Sequence, residues 1–516
     1  MGAKWPAWIV AGFVFLFVGA ALLALVLVAA DGFDTGPRDY LARILGFTLL
    51  QAFLSTALSV GPAIFVARAL ARRQFPGRGW VVAFLGLPLA LPPITAALGV
   101  LAVWGRRGWA SEAAVTLGVE WPSVYGLPGI LLAHVFFNLA LATRLLLAHL
   151  ERVPAEQWRL AAGLGLSERV VFRHIEWPAL RAGLPATAGL VFMLCLSSFA
   201  IVLMLGGGPG ATTLEVAIYQ SLGLDFRPAR AVALAALQLV VTIAVLVGLR
   251  ALGVRWREEP TVGRTMPRRT SSPYPIDALL VSSAVFFTAL PFLAILVDGV
   301  RAEWSRLVLD PNLLRATLTS LLVASAASVL ATGAALALVA ARGRAGRVGT
   351  AAIGATASLT LVIPPLLLGA GWFVALARTG LREGWAAGVL VIFINAIMAL
   401  PFAVRTVSPV WDAMEARTGR LVRSLAMTRG AWARLVAWPL LRRGLLAALA
   451  FAGALSLGDL GAIALLGSDG LQTLPHLLML RMGSYRTVDA AGIGLWLAAL
   501  ALLLFAVSQA LARKPE

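Results

Sequence analysis

The sequence predicts an all-α polytopic membrane protein of about twelve transmembrane helices, arranged as two parallel six-helix halves. Three observations carry that expectation. Of 516 residues, 60% are apolar and 13% charged, with a mean hydropathy of +0.88; soluble domains hold roughly 45–50% apolar and about 25% charged residues. Twelve apolar stretches each approach the ~20 residues that a spanning helix needs. The stretches also form two sets of six that repeat at nearly constant spacing. This composition excludes a soluble enzyme and a disordered chain. A disulfide scaffold is excluded because Cys195 is the sole cysteine.

The first set of spans reads 8–30, 44–70, 80–104, 127–150, 183–205 and 229–254. The stretch after Lys4 is longer than a signal-peptide core and more spans follow it, so it reads as a retained anchor. Residues 255–276 (RWREEPTVGRTMPRRTSSPYPI) carry Arg, Pro and Ser without an apolar run and read as a linker. The second set reads 277–300, 313–341, 349–377, 386–409, 444–467 and 488–512. The expected organisation is therefore a first half over 1–254, a linker over 255–276 and a second half over 277–516.

Charge orients the bundle. With the N-terminus in the cytoplasm, 28 of the 43 Lys and Arg fall on the inner side, while most acidic residues of the loops fall outside. The net charge of +19 is then a positive-inside signature and not a nucleic-acid footprint. Both termini are expected in the cytoplasm. The only lysines are Lys4 and Lys514, so there is no Walker A loop and no ATP site of that kind. Neither a catalytic constellation nor a metal cluster is expected, and no cofactor.

The repeat is visible residue by residue. Arg144 matches Arg405 and Trp177-Pro178 matches Trp438-Pro439, both at a spacing of 261. Thr213-Leu214 matches Thr473-Leu474 at 260, and Leu91-Pro92-Pro93 matches Ile363-Pro364-Pro365 at 272. Six spans per half make the repeat parallel, with a transport path between the halves. Major-facilitator carriers share that layout. What sets this chain apart is a long cytoplasmic loop between the fourth and fifth spans of each half, over 151–182 and 411–443. Each reads as helix, small-residue break (Gly165; Ala426), helix, Trp-Pro. Such an element suits docking by a soluble motor; one copy alone would equally suit an amphipathic helix on lipid.

These loops resemble the EAA loop of ABC importer permeases, whose pattern is E-A-A-x3-G-x9-I-x-L-P. Gly165 and Ile175-Glu176-Trp177-Pro178 fit its second part, with Trp for Leu; Ala426, Val436, Trp438 and Pro439 fit less well. The EAA triplet falls on Arg159-Leu160-Ala161 and Arg420-Leu421-Val422, so Arg replaces its Glu twice. Segments 197–231 and 455–491 are similar to the fused permeases of thiamine and thiamine-pyrophosphate importers, and that resemblance spans nearly the whole chain. Ferric-iron permeases share the architecture and part of the TLP segment, so iron or another small solute is the alternative.

The resemblance implies two type I ABC-importer permease halves in one chain, in the bacterial inner membrane. It implies a cytoplasmic ABC ATPase dimer carrying the ATP, and a periplasmic substrate-binding protein. ATPase coupling is expected at Glu156, Arg159, Leu160, Ala161, Gly165, Ser167 and Pro178 of the first loop. In the second it is expected at Arg420, Leu421, Ala426, Thr428 and Pro439. Small residues such as Ala161 and Gly165 permit close approach of another backbone, and Ser167 and Thr428 suit capping of the second helix. The loop arginines meet either ATPase carboxylates or anionic lipid.

Asp459 is a carboxylate at membrane depth, opposite Ser198 in the repeat. Intramembrane carboxylates are functional candidates, and thiamine carries a permanent thiazolium charge. Asp459 and Ser198 are therefore candidates for the substrate path; the other reading of Asp459 is a partner for a helix N-terminus or an Arg. Asn138, Asn395, His134, Ser197 and, as its other reading, Ser198 suit interhelical hydrogen bonds. The glycine-rich 206–213 lacks lysine and reads as a flexible outer turn. An ion-coupled secondary carrier is the other class in play; several buried carboxylates would mark it.

Overall fold

The computed structural model describes residues 5–30, 32, 34, 37–251, 275–342, 346–359, 363–377, 385–425, 427–468, 470–484 and 486–512. The linker expected over 255–276 lies outside them except for its last two residues.

In chain order the helices are α1 (Trp5–Ala30), α2 (Arg38–Arg72), α3 (Arg78–Phe84), α4 (Pro93–Trp104), α5 (Trp109–Thr116), α6 (Leu127–Glu151), α7 (Ala155–Gly163), α8 (Glu168–Val171), α9 (Trp177–Leu196), α10 (Ala200–Leu205), α11 (Leu214–Gly223) and α12 (Pro228–Ala251). The second part runs α13 (Pro275–Val300), α14 (Trp304–Leu307), α15 (Pro311–Arg342), α16 (Arg347–Leu359), α17 (Pro365–Ala377), α18 (Trp385–Ser424), α19 (Arg429–Trp432), α20 (Trp438–Leu457), α21 (Gly461–Leu466), α22 (Leu474–Gly483) and α23 (Thr487–Ala512).

Among the described residues, ten helical stretches are long and apolar enough to cross a membrane, or eleven when one bent pair is a single span. The chain is an all-α polytopic membrane protein. Four of the expected spans are not single helices. The third bends by 109° between Arg78–Ala90 and Pro93–Thr116. Pro92 and Pro93 lack N–H groups, and a residue before proline is pushed out of the helical region. At the matching Pro364-Pro365, α17 starts anew after α16. The fifth and eleventh also differ: α9 stops at Leu196 and α20 at Leu457, and the short α10 and α21 follow each break.

The two parts hold each other through their first helices. α1 packs along α17, and α13 along α4. Glycine permits both contacts. A Cβ added at Gly99 of α4 would lie 2.8 Å from Ile295 Cδ1, and one at Gly371 of α17 would lie 2.8 Å from Ala21 Cβ. These glycines are themselves 272 residues apart, the spacing of the Pro-Pro pairs. With no hydrophobic effect acting between helices in lipid, small residues and close packing hold such seams. Phe17 adds a ring contact with Trp372, centroids 4.8 Å apart.

Gly371→Leu should destabilise the detergent-solubilised protein by about 1–3 kcal/mol, the usual cost of forcing volume into a packed site. Gly12→Leu, where nothing lies within 4 Å, should melt like the parent. Thermal unfolding of the two variants side by side checks both.

Candidate functional site

Two regions hold the expected functional residues. One is the pair of loops at the end of the bundle where α6 and α18 finish. In the first loop, α6 ends at Glu151 and the chain turns through Arg152–Pro154 into α7. In the second, α18 runs on as one helix of 40 residues. Pro154 explains the difference, because Glu415 occupies its place at the 261 spacing and lets the helix continue.

After α7 the chain reverses at Gly165, whose φ of +59° is a left-handed conformation natural to glycine. The Leu166 N–H returns to the Ala161 carbonyl at 3.0 Å. Each loop then re-enters the bundle through one π-turn, Phe172–Glu176 and Ala433–Ala437. Both precede Trp-Pro. Pro178 and Pro439 cannot donate backward and crowd the carbonyl four residues earlier; the wider turn relieves that crowding.

The loops present matched apolar faces to solvent. Leu160 is 64% exposed and Leu421 58%; Leu164 is 64% exposed and Leu425 62%. Glu156, Arg159, Gly165, Ser167, Pro178, Thr428 and Pro439 are also exposed. Ala161 differs from expectation: it is 6% exposed, because it lines the inward face of α7 with Ala155 and Trp158. The Ser167 side chain makes no capping bond, whereas the Thr428 Oγ1 accepts from the Ala431 N–H at 3.3 Å. Ala426 and the Arg420 side chain lie outside the described residues. Leu164 and Leu425 escaped the sequence reading, although they recur at the same spacing of 261.

The second region is a set of helix breaks at membrane depth. Asp459 is half-buried and accepts from the Gly461 and Ala462 N–H groups, each at 3.3 Å. It caps α21, as one of its two sequence readings has it. The neighbouring Gly458 would bring a Cβ to 3.2 Å from Pro92, and Gly461 to 3.2 Å from Pro365. The structure thus gathers Pro92, Pro365 and the Asp459 break near the seam between the two parts. Ser198, also half-buried, holds the matching place in the first part.

Paired polar contacts brace these breaks. Asn138 Nδ2 donates to Cys195 Sγ at 3.3 Å, and Asn395 Nδ2 to Ser456 Oγ at 2.9 Å. His134 Nδ1 meets Ser55 Oγ at 2.8 Å. The 206–213 segment holds a single tight turn at Pro209–Ala211; just before it the Gly126 N–H donates to the Leu205 carbonyl at 2.7 Å, and Gly207 packs on Tyr125.

The chain then dips back. The Leu214 N–H, at the start of α11, donates to Thr48 Oγ1 at 3.0 Å; the Leu474 N–H, at the start of α22, donates to Ser320 Oγ at 2.7 Å. Thr48 lies ten residues into α2, about 15 Å along its axis at ~1.5 Å per residue. Both short helices therefore begin within the bundle. Glu215 on α11 is buried beside Gln238 at 3.5 Å, a buried acid absent from the sequence expectations.

Asp459→Asn preserves the cap and should leave stability near that of the parent. Asp459→Leu removes it and should cost about 1 kcal/mol. Melting curves of the two purified variants distinguish the cap from any other role of the carboxylate.

Comparison with known proteins agrees with this layout. Residues 59–258 match the family described as binding-protein-dependent transport system inner membrane component. The thiamine transport system permease protein of Brucella abortus (strain 2308) is 47% identical over 506 residues, covering 96% of this chain and 93% of that protein. Its counterpart in Escherichia coli (strain K12) is 41% identical, covering 98% and 97%. That of Haemophilus influenzae is 34% identical, covering 94% and 91%. At such identity over nearly its full length, the chain belongs to the family of thiamine transport system permease proteins, among the inner membrane components of binding-protein-dependent transport systems.

Proposed function

We propose that this chain is the permease of an ATP-driven thiamine importer in the bacterial inner membrane and carries both permease halves itself. The single observation that carries the substrate is the 47% identity, over 96% of the chain, to a protein named for thiamine transport. Thiamine therefore stands ahead of ferric iron. The halves are 1–254 and 277–516, joined by a cytoplasmic linker, with both termini in the cytoplasm as the arginine distribution favours.

A soluble ABC ATPase dimer binds below, one copy on each loop, and a periplasmic binding protein delivers substrate above. The matched leucine pairs support the docking reading. Leu160 with Leu164 and Leu421 with Leu425 are apolar, exposed and one helical turn apart. They are the groups that a partner desolvates with gain. Arg159 stands beside them for an acidic contact. Closure of the ATPase dimer moves the two loops, and the seam at the Pro-Pro bends and Asp459 opens alternately to either side. Asp459 there serves two ends: it caps α21 and offers negative charge to a cationic thiazolium, with Ser198 opposite.

Deleting the gene while keeping its binding protein and ATPase should abolish high-affinity uptake of labelled thiamine, and restoring it should return uptake. Unchanged uptake with poor growth on scarce iron would transfer the substrate to iron. Asp459→Asn keeps the cap but not the charge, so its uptake should fall about tenfold or more if the carboxylate meets the cation; uptake at the parent rate would leave Asp459 a structural cap only. Leu160→Glu with Leu421→Glu should leave the permease in the membrane and remove the ATPase from the purified complex.

A further inference from the structure

The joint between each docking loop and the helix beside it differs in kind between the two parts. In the first part, Glu176 closes the π-turn and is only 2% exposed. Its Oε2 accepts from Arg68 Nε at 2.6 Å, and its Oε1 lies 3.7 Å from Arg72 Nε. Arg68 and Arg72 stand one turn apart on the last turns of α2. Arg72 also pairs with Glu168 of α8, and the Arg68 guanidinium sits 4.5 Å from the centre of the Phe172 ring. Four charges from α2 and the loop's return arm thus interlock, with Glu176 and Arg72 buried and Glu168 at the open edge.

In the second part, the positions that match Glu176 and Arg68 are apolar. Glu176 corresponds to Ala437 at the spacing of 261, and Arg68 to Ala340 at 272. That second register is set by the paired Thr48 and Ser320 contacts. Ala437 and Ala340 sit in one cluster with Val339, Val407, Trp411 and Leu441. Trp411 meets Trp432 edge to face, with centroids 6.2 Å apart.

These chemistries resist motion differently. Shifting a buried, hydrogen-bonded charge leaves it without its partner, which is strongly opposed. Apolar contact is non-directional and tolerates sliding. We infer that Glu176 clamps the first docking loop to α2, so that loop and helix move as one body; among the described residues the second part has alanines at the positions matching Glu176 and Arg68. Glu176 is a positioning residue: it touches neither substrate nor nucleotide. The inference rests on reading these loops as the ATPase-docking sites.

The test uses the complete importer in lipid vesicles, carrying Cys195→Ser. Spin labels sit at Gln74→Cys, beyond α2, and Gln157→Cys on α7, both exposed. Distances are read without nucleotide and with ATP trapped by vanadate. The parent should give one distance in both states, and Glu176→Gln a broadened or shifted distance in the trapped state, with Glu176→Asp restoring the parent result. Thiamine taken up per ATP hydrolysed should fall about tenfold in Glu176→Gln. A Glu176→Gln distance indistinguishable from the parent in both states would overturn the clamp, as would loss of the assembled complex in both Glu176 variants. Assembled parent vesicles that take up no thiamine would refute the substrate reading alone, since the distance measurement needs none; a parent permease that never retains the ATPase would refute the docking reading.

Discussion

In lipid every backbone N–H and C=O must find a partner inside the protein, because no water stands by to serve it. A permease must nevertheless interrupt its helices, since an unbroken bundle offers no path. This chain meets the conflict at each break with the nearest suitable atom. Asp459 accepts the N–H groups that open α21. Thr48 and Ser320 accept those that open α11 and α22. At the bends before α4 and α17, proline removes the donor altogether. Other polar side chains in the bundle engage backbone or each other, as Asn138 does with Cys195 and Asn395 with Ser456.

The seam between the two parts follows from a second constraint, the distance to which backbones can approach. Gly99 and Gly371 let the first helix of each part lie against the opposite part. Each part so carries a helix belonging to the other.

Duplication has kept geometry more faithfully than chemistry. The π-turns, the Trp-Pro steps and the exposed leucine pairs recur at one spacing. The contacts beneath them differ at matched positions: Glu176 pairs with Arg68 and Arg72, whereas Ala437 and Ala340 lie among valine, leucine and tryptophan. Pro154 likewise breaks one loop helix where Glu415 continues the other.

The membrane class, the apolar stretches and the repeat were legible in the residues, because hydropathy and spacing are linear properties of a chain. The helix breaks fall at Pro92-Pro93 and Pro364-Pro365, within stretches read as single spans, since proline acts locally. Other features depended on what lies opposite. Ala161 turned inward because α7 packs by its 155–158–161 face. Ser167 stands free of its helix while Thr428 caps, through a small difference in backbone approach. Residues 214–223 and 474–483 dip into the bundle only because Thr48 and Ser320 wait there. Glu176 and Arg68 are 108 residues apart, and no periodicity joins them. By itself, then, the sequence determined which segments enter the membrane and that they do so twice over. The tertiary structure alone decided which polar groups meet, because a buried polar atom's role is set by the partner that folding brings within 3 Å.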